Sequence, residues 1–221
     1  MNDADAQLLA DGARQLGVVL DDRQLRDLHL YGREIALWNP RLGLVNASGP
    51  ELIRKHFLDS LAGVPYLLDR VSDAAASDTA ASDTATSVAD LGSGNGFPGV
   101  VLQIAMPRLR VTLVERSGKR CGFLRNIAAL LPDYSLQVVQ QDLAAVSDSY
   151  AVLVSRAFRP LQPEIVAGMR RITAPGGHWV LYKGDPATAG AELDAAGISG
   201  RIQPLQVPGV SEQRCLAICQ P

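Results

Sequence analysis

The chain has 221 residues, enough for one large domain or one domain with an appendage. At 47% hydrophobic and 20% charged it has the balance of a globular protein with a substantial core, which excludes a disordered or fibrous chain. A formal net charge of −2 argues against a partner captured by overall basic charge.

The first residues, "MNDADAQLLADGARQLG", are acidic and amphipathic, without the basic and apolar regions of a signal peptide. No apolar run approaches the roughly 20 residues needed to span a bilayer, so a cytoplasmic protein with no membrane partner is expected. Cys121, Cys215 and Cys219 are too few and too scattered for a disulfide framework or a zinc site. They are expected as buried thiols in a reducing compartment, with no metal.

Helical patterns fill the first 68 residues, and residues 1–71 are expected to form a helical N-terminal region. "RQLRDLHLYGREIALWN" places Leu25, Leu28, Ile35 and Trp38 near helical spacing. "SGPELIRKHFLDSLAGVPYLL" predicts a helix with Ser48 as N-cap and Pro50 near its first turn. Residues 72–87, "SDAAASDTAASDTATS", read as a low-complexity surface insertion.

From Val88, residues 88–221 alternate. Strands are predicted at "SVADL", "RVTLVE", "LQVVQ", "AVLVS" and "HWVLYK", and helices at "PGVVLQIAM", "KRCGFLRNIAALL" and "PEIVAGMRRI". Such alternation predicts an α/β fold, a parallel sheet with helices on both faces. "RIQPLQV", "PGVSEQ" and "RCLAICQ" then read as strand, turn and strand, a hairpin joined to the sheet edge. Ligands of such sheets lie outside the carboxyl ends of the strands, here Asp90, Glu115, Gln141–Leu143, Ser155–Arg156 and Lys183.

Charge is unevenly spread. Between Pro107 and Lys183 there are eleven Lys or Arg and five acids. A basic face on an acidic protein can bind phosphate, although a solvated surface explains the same residues.

The glycine loop "DLGSGNGFPG" asks which ligand it holds. Gly94, Gly96 and Gly99 satisfy G-x-G-x-x-G, and Glu115 lies 21 residues after Gly94, where a ribose-binding acid belongs. A dinucleotide therefore passes its usual test. ATP does not, because G-x-x-x-x-G-K-[ST] is missing. Asp90, two residues before Gly92, would repel a pyrophosphate but favour the cationic S-adenosylmethionine. On this reading Glu115 accepts hydrogen bonds from the two ribose hydroxyls. Asp142 either accepts from the adenine amino group or serves as a turn residue.

"ADLGSGNGFPGVVL", "LVERSGKRCGFLR", "VSRAF" and "YKG", with "WNPRLGLV" and "IRKHFLDSL" upstream, resemble the bacterial 16S rRNA guanine-N7 methyltransferases known as RsmG or glucose-inhibited division protein B (GidB). The resemblance runs from about Leu28 to the terminal hairpin. It implies the class I S-adenosylmethionine-dependent methyltransferase fold, a Rossmann-like seven-stranded sheet ending in an antiparallel hairpin. It also implies methylation of N7 of the guanine at position 527, in the 530 loop of 16S rRNA. The substrate would be the rRNA or a small-subunit particle, and the enzyme a monomer. By motif, its cofactor contacts fall on Gly92, Phe97, Leu143–Ala144 and Arg156. The chain departs from the family at Gly43–Val45, Arg116 and Ala144, and in the 72–87 insertion.

Guanine N7 has an in-plane lone pair and no proton, so transfer needs alignment rather than a general base. Arg156 and Lys183, at strand ends, are the candidates to hold RNA phosphate or the guanine edge. Arg156 alternatively braces the cofactor loop through Asp90 or Asp59. Lys119 and Arg120, at a helix start that does not favour cations, are candidate RNA contacts. His56 reads as a structural histidine, with Asp59 beside it. The rival functions are an NAD-dependent oxidoreductase, a non-catalytic RNA-binding protein and a small-molecule methyltransferase.

Overall fold

The structure, a computed structural model, describes residues 3–68 and 85–221. Residues 72–84 of the expected insertion lie outside the described residues. Thr86 and Ser87, expected within it, instead open the first strand.

Helices α1 (Asp3–Gln15) and α2 (Asp22–Leu42) begin the chain. Asp21 and Gln24 form a reciprocal capping box at the start of α2, and Gly43 ends it in the left-handed conformation. The third helix, α3, begins as Pro50–Leu52, widens to π geometry over Ile53–Leu58 and closes as Asp59–Leu61. Pro50 sits at the helix start as expected, but the N-cap is Gly49, not Ser48. Gly49 has φ 52°, and Ser48 contributes its backbone carbonyl, which accepts from Glu51.

The sheet contains β1 (Thr86–Leu91), β2 (Leu109–Val114), β3 (Leu136–Val139), β4 (Tyr150–Arg156), β5 (Thr173–Lys183), β6 (Gly200–Leu205) and β7 (Arg214–Cys219). Between them run α4 (Gly99–Ala105), α5 (Gly118–Leu130), α6 (Pro163–Arg171) and α7 (Pro186–Ala195). The strand order is β3-β2-β1-β4-β5-β7-β6. β1 to β5 are parallel, while β7 runs antiparallel to both β5 and β6. The hairpin thus joins the sheet through its second strand. Helix α7 is not among the helices expected from the sequence, because its buried face is only Ala189 and Leu193. Asp185 caps it, accepting from the Thr188 N–H.

One buried cluster joins α1, α2 and α3 to one face of the sheet through Leu9, Leu28, Tyr31, Phe57, Val88 and Val111, with Phe97 and Phe123 beside them. A second lies on the other face around Trp179, Leu153 and Ile165. The N-terminal helices are therefore packed into the sheet's own core. The three cysteines are free and buried. No helix among the described residues is long and apolar enough to cross a membrane.

Candidate functional site

The order of the strands reverses between β1 and β4, which opens a crevice at their carboxyl ends. The glycine loop leaves β1 there. Its first N–H groups, of Gly92 and Ser93, both bond the Val114 carbonyl at the end of β2. Glu115 follows immediately and is buried. One of its oxygens accepts from the Gly94 N–H at 3.0 Å, the other from the Ser117 N–H at 2.7 Å. Each oxygen keeps a second lone pair, and Glu115 lines the crevice with Gly92, Arg116, Asp142, Leu143 and Phe158. A carboxylate so placed can take two further hydroxyl donors. The two ribose hydroxyls would share Glu115 with the loop backbone, a double duty that its sequence position does not reveal.

Asp90 is a correction. It is fully buried and lies beneath the loop, where Oδ2 accepts from the Gly99 N–H at 3.0 Å and anchors the start of α4. Burial pushes its carboxyl up to about 7. With its proton partly retained at neutral pH and its side chain under the loop, it is not the ligand-facing anion expected to favour S-adenosylmethionine over a pyrophosphate. Its role in the structure is to hold the loop.

Asp142 caps a 3₁₀ turn, Leu143–Ala145, and accepts from the Ala144 N–H at 3.3 Å. It also takes two contacts from Arg159, at 3.0 and 3.1 Å, and these hold its carboxyl below the usual range. Of the two alternatives for this residue the turn is the one observed, and Asp142 also lines the crevice. Leu143 is buried against it and Ala144 is exposed. Arg171, which sequence reasoning assigned only to a basic surface, donates to the carbonyls of Leu143 at 2.8 Å and Ala144 at 3.2 Å, and to that of Val146. It pins this turn from α6.

Arg156 ends β4 and is the hub of the opposite wall. Nη1 donates to Asp59 Oδ2 at 2.9 Å and to the Lys55 carbonyl at 3.3 Å, and the guanidinium lies 5.1 Å from the Phe97 ring centre. Nη2 is 2.8 Å from His56 Nδ1. Arginine only donates, so Nδ1 accepts and the imidazole is neutral with its proton on Nε2. Burial and the Arg156 charge together hold His56 down at about 4. Arg214 Nε lies 3.2 Å from Asp59 Oδ1, as an ion pair without hydrogen-bond alignment. Of the two braces expected for Arg156, Asp59 is the one observed.

Beyond Arg156, Ala157 is the one non-glycine among the described residues with positive φ, at 52°. It borders both the Glu115 crevice and a second crevice lined by His56, Arg156, Tyr182, Lys183 and Arg214. Phe158 lies between the two, and a Cβ on Gly92 would come 2.5 Å from its ring. Lys183 faces the second crevice, but its ammonium is paired with Glu192 of α7 at 2.7 Å. Lys119 and Arg120 are exposed at the start of α5, and Arg120 borders the crevice while Lys119 does not. The basic face is smaller than the sequence suggests, since Arg156, Arg159, Arg171 and Lys183 all have internal partners. Among the described residues, no group of three or more His, Cys, Asp or Glu could hold a metal ion.

The family pattern described as rRNA small subunit methyltransferase G matches residues 24–217. A ribosomal RNA small subunit methyltransferase G from Albidiferax ferrireducens is 34% identical over 216 residues, covering 95% of this chain and 94% of its own. One from Acidovorax sp. (strain JS42) is 32% identical over 219 residues, covering 96% and 94%. In fold, the chain is similar to a SAM-dependent methyltransferase from Agrobacterium tumefaciens, with a TM-score of 0.53, 15% identity and coverage of 74% and 62%. A precorrin-6y C5,15-methyltransferase from Geobacter metallireducens gives 0.51, with 13% identity and coverage of 80% and 90%.

Proposed function

The chain belongs to the rRNA small subunit methyltransferase G family, S-adenosylmethionine-dependent enzymes of the class I fold, and on that premise we propose that its target is N7 of the 530-loop guanine of 16S rRNA. Family membership displaces the oxidoreductase and small-molecule readings.

The observation that carries the proposal is the pair of adjoining crevices. One offers Glu115 against a glycine loop whose φ at Gly94 is 57°, and the other is basic; they meet at Ala157 and Phe158. The first suits a nucleoside, the second a base attached to phosphate. S-adenosylmethionine, when bound, supplies an electrophilic methyl group on a cationic sulfur. Glu115 would hold its ribose, Asp142 and Leu143 its base, and the Gly92–Gly94 backbone its amino-acid end.

The protein's task is alignment. N7 has no proton to remove, and neutral His56 sits deep against Arg156 and Phe97, where it supports the wall. Arg156 is a positioning residue, because its guanidinium is already engaged by Asp59, His56 and the Lys55 carbonyl. Lys183 reaches RNA by exchanging the Glu192 carboxylate for a phosphate, and Arg116, Lys119 and Arg120 extend the phosphate-binding rim.

Calorimetry with S-adenosylhomocysteine and mapping of N7-methylguanine in small-subunit rRNA test the proposal together. Glu115→Ala should weaken S-adenosylhomocysteine binding by about 1.5–3 kcal/mol, more than tenfold. Unchanged affinity in a folded variant refutes the role of Glu115. Methylation at another base or atom refutes the substrate assignment.

A further inference from the structure

The tip of the glycine loop is held by residues from outside the methyltransferase sheet. Tyr31, fully buried on α2, donates its hydroxyl to the Asn95 carbonyl at 2.5 Å. The Asn95 side chain in turn donates to the Leu44 carbonyl at 2.9 Å. Leu44 belongs to the turn that follows α2, and that turn is closed by Asn39. The Asn39 side chain donates to the Val45 carbonyl and accepts from the Val45 N–H, both at 2.9 Å.

Asn95 stands between Gly94 and Gly96. A Cβ on Gly96 would lie 2.7 Å from the Tyr31 hydroxyl, so the loop approaches α2 this closely only because the residue is glycine. Leu44 borders the same cleft as Gly92, Gly94, Phe97 and Arg156. The bonds therefore run from α2, through one turn and one loop residue, to the wall of the cofactor crevice. Burial raises the Tyr31 phenol well above its ordinary value, so it remains a donor at any working pH.

We propose that Tyr31, Asn39 and Asn95 form a positioning clamp, through which the N-terminal helical region sets the affinity of the glycine loop for its cofactor. The clamp rests on the reading of this loop as the cofactor site. None of the three side chains needs to touch the ligand. Tyr31 and Asn95 fix the Gly94–Gly96 backbone, whose N–H on the Gly94 side is already bonded to Glu115. Loosening the tip releases Gly94 from Glu115 and costs pre-organisation at the ribose. The chemical step, on the far side of Ala157, is left alone.

The test is calorimetry with S-adenosylhomocysteine on the full chain, with methylation rates at varied S-adenosylmethionine. Tyr31→Phe keeps the ring among Phe57, Phe97 and Phe123 and removes one hydrogen bond. Asn95→Ala removes the other and leaves the aromatic cluster whole. Each should raise the Kd and the KM for the cofactor about three- to tenfold, as expected for one lost hydrogen bond. The kcat at saturating cofactor should stay within about twofold, by the same separation of binding from chemistry. Asn39→Ala should act in the same direction through Leu44. A merely structural role would lower the melting temperature without this split of KM from kcat. Unchanged Kd in folded Tyr31→Phe and Asn95→Ala overturns the clamp, as does a fall in kcat with unchanged KM. If Tyr31→Phe fails to fold, Asn95→Ala decides alone. Failure of the wild-type chain to bind S-adenosylhomocysteine would instead overturn the cofactor site itself.

Discussion

The loop wall of the crevice is held by buried contacts to main-chain groups, whereas the wall formed by the ends of β4 and β5 is held by ion pairs that become more exposed toward Lys183. On the loop side Asp90, Tyr31 and Glu115 all bond main-chain groups at close range. On the other side the pairs thin out with exposure. Arg156 and Asp59 are 17% and 4% exposed, and Lys183 and Glu192 22% and 24%. Exposed pairs are worth little and are readily exchanged. A wall of the first kind presents one fixed shape to a small ligand. A wall of the second kind can release its cations to phosphates when a large polyanion arrives.

The sharpest way to break the loop wall is Gly96→Ala. The new Cβ would meet Tyr31 and Val100 at 2.7 Å, at a φ of 96°. Backbone strain and overpacking together should cost roughly 2–5 kcal/mol, read by denaturant unfolding. Gly94→Ala, whose Cβ meets nothing closer than Arg120 at 3.5 Å, should cost clearly less. Equal losses at the two positions would mean that the loop tip is not packed against α2.

The two walls should also differ in the sign of their pH response. Asp90 holds its proton up to about 7 when folded and to about 3.8 when unfolded. Between these values the unfolded chain binds fewer protons, so Asp90 makes stability fall as pH rises, by up to about 4 kcal/mol. His56 titrates near 4 when folded and near 6.5 when unfolded. Over that window the unfolded chain binds more protons, so His56 makes stability rise with pH, by up to about 3 kcal/mol. The difference in unfolding free energy between wild type and Asp90→Asn should therefore slope opposite to that between wild type and His56→Gln. Parallel slopes would contradict the arrangement of at least one wall.

Arg156→Ala strips Asp59 of its aligned partner and leaves Arg214 to hold a buried carboxylate. A loss of about 2–4 kcal/mol is expected, less than for a fully orphaned pair, with weaker S-adenosylhomocysteine binding beside it. Lys183→Ala should give the smallest change. Stability should shift by less than about 1 kcal/mol and cofactor affinity should hold. The dependence of rRNA binding on the logarithm of salt should become shallower by roughly 0.7–0.9, one phosphate contact. Equal losses of cofactor affinity in these two variants would erase the distinction between a brace and an RNA contact.

Much of the loop wall is legible in the amino-acid sequence, because its logic is local. A strand ending at Leu91, glycines within the next eight residues and an acid ending the next strand are fixed by short-range spacing. The period of alternation likewise predicts the five parallel strands and three of the helices between them. What is not legible depends on residues far apart in the chain. Tyr31 meets Asn95 across 64 positions and Arg156 meets Asp59 across 97, and no periodicity encodes either encounter. Asp90 misleads for a related reason: a carboxylate's place in sequence shows its proximity to a ligand, but not whether burial has changed its charge. Lys183 shows the limit of counting cations, since Glu192, only nine residues on, claims it once α7 turns back.

The π segment of α3 has one further consequence. Its wider turns leave main-chain oxygens open to side chains: Arg156 reaches the Lys55 carbonyl and the Ser60 hydroxyl reaches that of His56. A π turn absorbs one surplus residue in an otherwise ordinary helix, so the segments before and after Ile53–Leu58 keep the phase of an α-helix one residue shorter. Winding the same residues into α geometry, with none removed, would rotate everything upstream by roughly 100° relative to Asp59. Pro50 and the Gly49 entry would then face a new direction, taking the Leu44 turn with them. The helix can be read as a gear with one extra tooth, which sets the angle at which the first fifty residues mesh with the rest of the protein.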